Sequence, residues 1–363
     1  MRGKTDQQTS LLVLHPQDMI PTHHPIRRIK PIVDAVLREL SPLFDEMYDE
    51  AGRASVPPEH LLKASVLMSL YSVRSERQFC ERLRYDLLFK WFLDLNIGDE
   101  GFDHSTFSKN RERLLEHEVA DRFFAAVVQQ AKLRKYLSDQ HFTVDGTLLE
   151  AWASVKSFTP RDGDTPAKGG GGGRNPEVDF HGEKRSNQTH QSTTDPEALL
   201  FRKGNSQPAK LYYTGHVLME NRNGLVVDMD LTQATGFAER ATALELLKRQ
   251  PRSRQGRRTV GADKGYDTRD FSAGCRAVGV TPHVARHTTK RRSSIDRRTT
   301  RHSSYATSQR VRKRVEEIFG WTKTVAGGRK LRYIGQEKNR AWALLTAAAY
   351  NLVRISNLTL AGA

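Results

Sequence analysis

Apolar residues recur at three- to four-residue spacing through the first third of the chain, from Ile26 to about Leu137. The spacing is clearest at Ile32, Val36, Leu40 and Leu43. It is the spacing of the buried face of an amphipathic helix. We therefore predict an all-helical N-terminal domain over residues 26–137, preceded by an arm or a disordered lead over residues 1–25. Periodicity alone leaves open whether this domain carries a helix-turn-helix or is a plain scaffold.

After His141 the apolar pattern changes to short strands alternating with helices. The predicted elements are strands 142–145, 211–219 and 225–231, helix 237–249, strand 259–263, helix 268–278, strand 280–284 and helix 308–324. Asn223-Gly224 between the second and third strands is a strong hairpin signal. Antiparallel strands followed by parallel ones give the order of the ribonuclease-H-like fold. We therefore predict an α/β domain over residues 138–358, with a mixed sheet flanked by helices.

Two further stretches qualify that prediction. Residues 157–208 are polar and include the run Gly169 to Gly173, which lacks the lysine and hydroxyl residue of a phosphate loop. We predict a flexible insertion there. Residues 341–353 are apolar but short and interrupted by Thr346 and Asn351, which indicates a buried helix rather than a membrane span.

Charge is concentrated in one segment of the chain. The 363 residues carry a formal net charge of +16. Residues 284–332 alone hold 15 lysines and arginines against 3 acidic residues, which gives 15 − 3 = +12. This concentration favours a polyanionic partner such as nucleic acid over a merely basic surface. Cys80 and Cys275 are too few for a disulfide framework, so we predict reduced packing residues in a soluble, cytoplasmic protein.

Acidic residues stand where predicted elements converge. Asp145 and Asp263 end strands that lie side by side in the predicted sheet, so both carboxylates should project from one edge. The helix 308–324 has an apolar stripe for packing on the sheet and a polar stripe of Gln309, Arg312, Glu316 and Lys323. Carboxylates from separate elements can hold the ions of a two-metal phosphoryl-transfer site. The alternative for the polar stripe is a solvated helix face with an Arg312–Glu316 pair.

Three motifs together resemble the DDE transposases of bacterial insertion sequences. They are residues 144–147 (Val-Asp-Gly-Thr), 262–267 (Ala-Asp-Lys-Gly-Tyr-Asp) and 312–323. The third block of that family has tyrosine, two residues, arginine, three residues, glutamate, six residues and lysine. Here only the tyrosine position differs, because it holds Gln309. Residues 75–79 and 102–106 resemble the helical N-terminal transposase domain of the same family.

The resemblance implies a transposase that cuts double-stranded DNA at the terminal inverted repeats of its element and transfers the strand to target DNA. Asp145, Asp263 and Glu316 would be catalytic and would hold two divalent ions, normally Mg²⁺, with Mn²⁺ as an alternative. Glu317 is the rival to Glu316, but it misses the spacing to lysine. A homodimer would synapse the two ends, and the protein would be associated with the bacterial nucleoid rather than a membrane.

The DNA-contacting residues implied are Arg312 and Lys323, with the neighbouring cations Arg310, Lys313, Arg314, Lys264, Arg291, Arg292, Arg297 and Arg298. Tyr266 and Trp321 are open between stacking on a base and packing in the core. Asp267 is expected to cap the helix that follows it. Two other functions stay open at this point: a nuclease or resolvase that performs no strand transfer, and an inactive transposase that binds DNA as a regulator.

Overall fold

The computed structural model describes residues 15–48, 55–161, 185–204, 206–251, 256–288 and 292–361. The Gly169 to Gly173 run and Arg291 lie outside the described residues.

The N-terminal region is helical, as the apolar spacing predicts. Its helices are α1 (Pro16–Met19), α2 (Ile26–Met47), α3 (Pro58–Leu70), α4 (Glu76–Leu83), α5 (Leu87–Phe92), α6 (His104–Glu116) and α7 (Val119–Leu133). Several begin at side-chain caps: Ser75 accepts from the backbone N–H of Gln78 at 3.1 Å, which satisfies a group that the first turn leaves without a partner. The apolar face of α2 is buried over most of its length.

The described part of the predicted N-terminal lead is packed rather than disordered. Pro16 and Ile20 are buried. The Arg27 guanidinium donates to the carbonyl of Gln17 at 2.6 Å. Within residues 15–25, single apolar residues such as Ile20 complete the helical core, which the polar composition does not indicate.

The second region is a mixed sheet with helices. Its elements are β1 (His141–Glu150), β2 (Phe158–Pro160), β3 (His190–Ser192), β4 (Leu199–Phe201), β5 (Lys210–Glu220), β6 (Val226–Gln233), α8 (Ala238–Arg249), β7 (Arg258–Ala262), α9 (Arg269–Ala277), β8 (Val280–Val284), α10 (Arg297–Thr300), α11 (Ser303–Val311), α12 (Val315–Thr324) and α13 (Gln336–Ala361). The strand order is β4-β5-β1-β7-β8, with β6 also paired to β5. Strands β6, β5 and β1 are antiparallel, whereas β1, β7 and β8 are parallel. The predicted ribonuclease-H-like α/β sheet is confirmed.

The sheet is covered on both faces. On one face α8 and α9 bury a cluster that includes Val144, Val260, Leu246 and Phe271. On the other, residues of β5 and β6 share a single apolar cluster with α12, α13 and the N-terminal helices. The N-terminal helices and the sheet are therefore joined by a common core.

The predicted insertion 157–208 contains regular structure, which corrects the prediction of a flexible segment for its described parts. Strands β2 and β3 pair with each other, and β4 pairs with β5. Buried Asp195 accepts a hydrogen bond from the Tyr213 hydroxyl at 2.8 Å. Each of these strands is only three residues long, and β2 and β3 pair across 30 to 34 residues, so no local pattern marks them.

Helix α13 contains the apolar stretch 341–353, and both interrupting residues, Thr346 and Asn351, are buried in it. The prediction of a buried helix is confirmed. Within the described ranges, no helix combines the length and apolarity needed to cross a bilayer.

Candidate active site

Strands β1 and β7 bring Asp145 and Asp263 to the same edge of the sheet. The parallel pairing ends with Thr143 opposite Gly261, and each aspartate lies two residues beyond that pair. Asp145 is inside β1 rather than at its end, which corrects the predicted bound. The reason is that β1 continues along β5, with Asp145 opposite Val217, after β7 has ended. The carboxylate therefore projects where the neighbouring parallel strand leaves the sheet.

A backbone N–H holds each aspartate. Gly146 N–H donates to Asp145 Oδ1 at 2.9 Å. Gly265 N–H donates to Asp263 Oδ1 at 2.7 Å. Both bonds fix the direction of the carboxylate, and the bond from Gly146 also favours the charged form of Asp145. The glycines of the Asp-Gly and Asp-Lys-Gly motifs thus orient the two acids.

A third carboxylate, Glu239 of α8, lies beside this pair. A Cβ placed on Gly146 would come within 3.0 Å of Glu239 Oε1. Burial raises the pKa of Asp145 to about 7, and the negative charges of Asp263 and Glu239 add to that rise while Arg312 opposes it. Desolvation and then the charge of Asp263 also raise the pKa of Glu239. The sequence does not single out Glu239, because an acid in the first turn of a helix is ordinary.

Tyr266, on the 3₁₀ turn that follows Asp263, is buried close enough to the carboxylates to be affected by their charge. It is 1% exposed and packs edge-on against Phe271, with 5.1 Å between ring centroids. Its buried hydroxyl has no hydrogen-bond partner among the described residues. The charges of Asp145, Glu239 and Asp263 add to burial in raising its pKa. Of the two alternatives for Tyr266, core packing is therefore the one found.

The predicted helix 308–324 is two α-helices joined by a 3₁₀ turn over Arg312–Arg314, which corrects the single helix. The turn packs on β7, where a Cβ on Gly261 would lie 3.3 Å from the Cβ of Arg312. Arg314 donates to the carbonyls of Asn221 and Arg222 at 3.0 and 2.9 Å. These contacts across the sheet edge hold the chain in the tighter turn.

The motif residues of this segment flank the carboxylates. Arg312 Nε donates to Gln309 Oε1 at 3.1 Å, and the Gln309 amide donates to the His283 carbonyl. Gln309, at the family's tyrosine position, thus anchors the arginine whose charge acts on Asp145. At the far end of α12, Lys323 Nζ donates to Thr147 Oγ1 at 2.6 Å.

Glu316 lies on the helical segment between those two cations. It is exposed and has no hydrogen bond or ion pair within the described part of the chain. Glu317, in contrast, lies 3.6 Å from the guanidinium of Arg354 on α13. Trp321 packs edge-on against Tyr350 at 5.9 Å, so the core is again the alternative found for this aromatic.

Asp145, Asp263 and Glu239 have the kind of ligand atoms that a divalent cation requires. Their donors are all oxygens, which Mg²⁺ prefers. In the described residues, however, no three His, Cys, Asp or Glu side chains are arranged around a common ion position. The fit therefore rests on the donor chemistry.

Most of the predicted DNA-contacting cations are exposed: Lys264, Arg292, Arg297, Arg298, Arg310, Lys313 and Arg314. Arg298 also pairs with Asp296 at 3.1 Å, and Arg314 is engaged with backbone carbonyls as described above. Asp267 fixes the start of the basic segment 284–332, because its carboxylate accepts hydrogen bonds from the backbone N–H groups of His287 and Ser294, both at 2.8 Å. The helix cap predicted for Asp267 is supplied by Thr268 instead.

The strand order and the acidic edge define a ribonuclease-H-like enzyme. Residues 138–352 match the family model described as "Transposase DDE domain", and residues 14–113 match the one described as "Transposase domain (DUF772)". The chain belongs to the DDE transposase family, and the transposase predicted from its motifs is confirmed.

Solved structures give only a distant likeness. The piggyBac transposase synaptic complex with hairpin DNA is 12% identical with a TM-score of 0.43, covering 94% of this chain and 76% of that one. The Mos1 mariner paired-end complex with Mn is 13% identical with a TM-score of 0.21, covering 86% and 89%. No curated protein matches the sequence.

Proposed function

We propose that this transposase cleaves DNA at the ends of its insertion sequence with divalent ions held by Asp145, Asp263 and Glu316, and then joins the freed end to target DNA. The carrying observation is the register of β1 and β7, which sets Asp145 and Asp263 side by side. Each is oriented by a glycine N–H. Glu316 is preferred to Glu317 because Glu317 faces Arg354 on α13.

The ions, normally Mg²⁺ or alternatively Mn²⁺, would supply activation of the attacking oxygen and stabilisation of the leaving oxygen. The chain itself supplies position and charge. Arg312, held by Gln309, has a guanidinium suited to a scissile phosphate. Lys323, fixed at Thr147, adds a point charge further along β1. The Tyr266 and Phe271 rings, which are each 1% exposed, would exclude water from the core next to Asp263.

The DNA would lie on the exposed cations around this edge. Each lysine or arginine that neutralises a phosphate releases bound counterions, which favours binding whatever the DNA sequence. The terminal inverted repeats and the target duplex are the expected partners. Two element ends must be brought together for transposition, so we propose that a homodimer forms the synaptic complex.

The test uses DNA bearing the inverted repeats that flank this reading frame, with Mg²⁺. Asp145→Asn and Asp263→Asn should each lose about a thousandfold in cleavage rate, since metal activation is worth several kcal/mol, while binding of end DNA is retained. Asp270→Asn, an exposed acid in the first turn of α9, is the matched control and should cleave normally.

Equal cleavage by Asp145→Asn and the wild type would refute the site. Hydrolysis by the wild type without a joined product would favour the nuclease. End binding without cleavage would favour the regulator.

A further inference from the structure

We propose that a band of cations, which extends from α12 onto the N-terminal helices, binds the DNA duplex next to the scissile phosphate. This basic track consists of Arg74, Arg77, Lys203, Lys323, Arg329 and Lys330. The inference rests on the proposed function, since it assigns a surface to the DNA on which the active site acts.

The basic track begins beside the active site and follows β1. Lys323 donates to Thr147 Oγ1 at 2.6 Å, two residues beyond Asp145. At the end of the same strand, Glu150 forms a parallel bridge with Lys330. A strand rises about 3.3 Å per residue, so this bridge is about 17 Å from Asp145. Phosphates follow one another at about 3.4 Å along a DNA strand, so the track faces phosphates up to about five nucleotides from the scissile one.

The loop between α12 and α13, residues 325–335, carries the track onto the N-terminal helices. The Ser72 hydroxyl donates to the Val325 carbonyl at 2.6 Å. Gly327 has a φ of +71°, and a Cβ there would lie 3.7 Å from Cγ of Arg74. The loop thus connects the end of β1 to the turn that leads into α4. It brings cations from both regions onto one surface.

The protein itself does not neutralise these cations. Four of them are exposed: Arg74, Arg77, Lys203 and Arg329. No ion pair joins any member of the track to an acid within the described part of the chain. Glu150, which bridges to Lys330 through the backbone, pairs instead with Lys210 at 2.7 Å. Burial and then the charge of Lys203 lower the pKa of Lys323. Like charges gathered without acids destabilise one another, and a bound polyanion reverses that cost.

An exposed tryptophan within the track favours nucleic acid over an acidic protein. Trp152 is 53% exposed, although Ala151 and Ala153 on either side of it are buried. The turn after β1 therefore holds the indole outward. Lys330 Nζ lies 5.4 Å from the centre of the Trp152 ring. An aromatic ring presented among cations suits the combination of bases and phosphates in nucleic acid, whereas an acidic protein would require only the charge.

The experiment measures binding of the full-length protein to a fluorescent duplex that carries one inverted repeat, by anisotropy in EDTA over a series of salt concentrations. The double variant Arg329→Gln plus Lys330→Gln removes two phosphate contacts. The slope of log affinity against log salt should be smaller by about 2, and the affinity at about 0.1 M salt should be lower by about 10–100-fold. Arg74→Gln plus Arg77→Gln should show the same loss, which tests the contribution of the N-terminal helices.

The matched control is the double variant Arg38→Gln plus Lys132→Gln. These residues are exposed cations of α2 and α7, and neither has an ion pair among the described residues. The control removes the same charge from other positions, so its slope and affinity should equal those of the wild type. A loss as large as that of the track variants would show that only net charge matters, and it would overturn the track.

Ethylation of single phosphates locates the contacts on the DNA. In the wild type, ethylation up to about five nucleotides from the scissile phosphate should interfere with binding. The interference farthest from that phosphate should vanish in Arg329→Gln plus Lys330→Gln. Wild-type affinity and slope in either track variant would overturn the basic track alone. A wild-type affinity that does not change with salt would overturn the DNA partner of the proposed function itself.

Discussion

Asn351 joins the C-terminal helix to the sheet through two hydrogen bonds, and replacing it with alanine should destabilise the protein strongly. Its Oδ1 accepts from Val226 N–H at 2.9 Å, and its Nδ2 donates to the Val226 carbonyl at 2.7 Å. Asn351 is 1% exposed and Val226 is 0% exposed. Alanine would leave both backbone groups of Val226 without this partner and without water. At about 1–3 kcal/mol for each buried group, the expected loss is about 2–6 kcal/mol.

The measurement is urea unfolding followed by circular dichroism, with Asn357→Ala as the matched control. Asn357 is on the same helix but exposed, so the same substitution should change the free energy of unfolding by less than about 0.5 kcal/mol. A loss below about 1 kcal/mol for Asn351→Ala, or one equal to that of Asn357→Ala, would refute the reasoning, because buried unpaired groups would then be costing nothing.

Two further predictions concern single side chains. Gln309→Ala removes the hydrogen bond that holds Arg312, so the misplaced guanidinium should lower the DNA cleavage rate by about 10–100-fold, with Mn²⁺ affinity unchanged. The control Thr307→Ala, on the exposed face of α11, should cleave normally. A Gln309→Ala enzyme that cleaves at the wild-type rate would contradict the anchoring role. Burial lowers the pKa of His216 from 6.5 to about 4. Between pH 6.5 and pH 4 the unfolded chain therefore binds more protons than the folded one, and the folded state loses stability as pH falls. The loss is about 2 kcal/mol at pH 5. The drop in unfolding free energy between pH 7 and pH 5 should therefore be smaller in His216→Gln, and an equal drop would show that this histidine is not the cause.

The strand order and the two aspartates were predictable because they depend on local signals. The apolar run before each aspartate marks a buried strand, and the parallel register follows from the fold that the order of elements indicates. Features that depend on distant partners were not. β1 continues past Asp145 because β5 pairs with it, and the 3₁₀ turn at Arg312 depends on contacts with β7 and the β5–β6 turn. The position of Glu239 beside Asp145 depends on the packing of α8 on β1, which the local sequence does not indicate.

The way the N-terminal helices join the sheet determines whether the two regions can move apart. Ionic contacts cross the junction among the described residues: Arg340 of α13 lies 2.5 Å from Asp121 of α7 and 3.0 Å from Asp230 of β6, and Lys338 lies 2.8 Å from Glu112 of α6. These groups are partly exposed, so screening limits what they contribute to about 1 kcal/mol or less. The shared apolar cluster stabilises the junction more, because each fully buried large side chain contributes about 1.5–3 kcal/mol. The N-terminal helices are therefore held at a fixed position relative to Asp145 and Asp263, since moving the two regions apart would require opening that core.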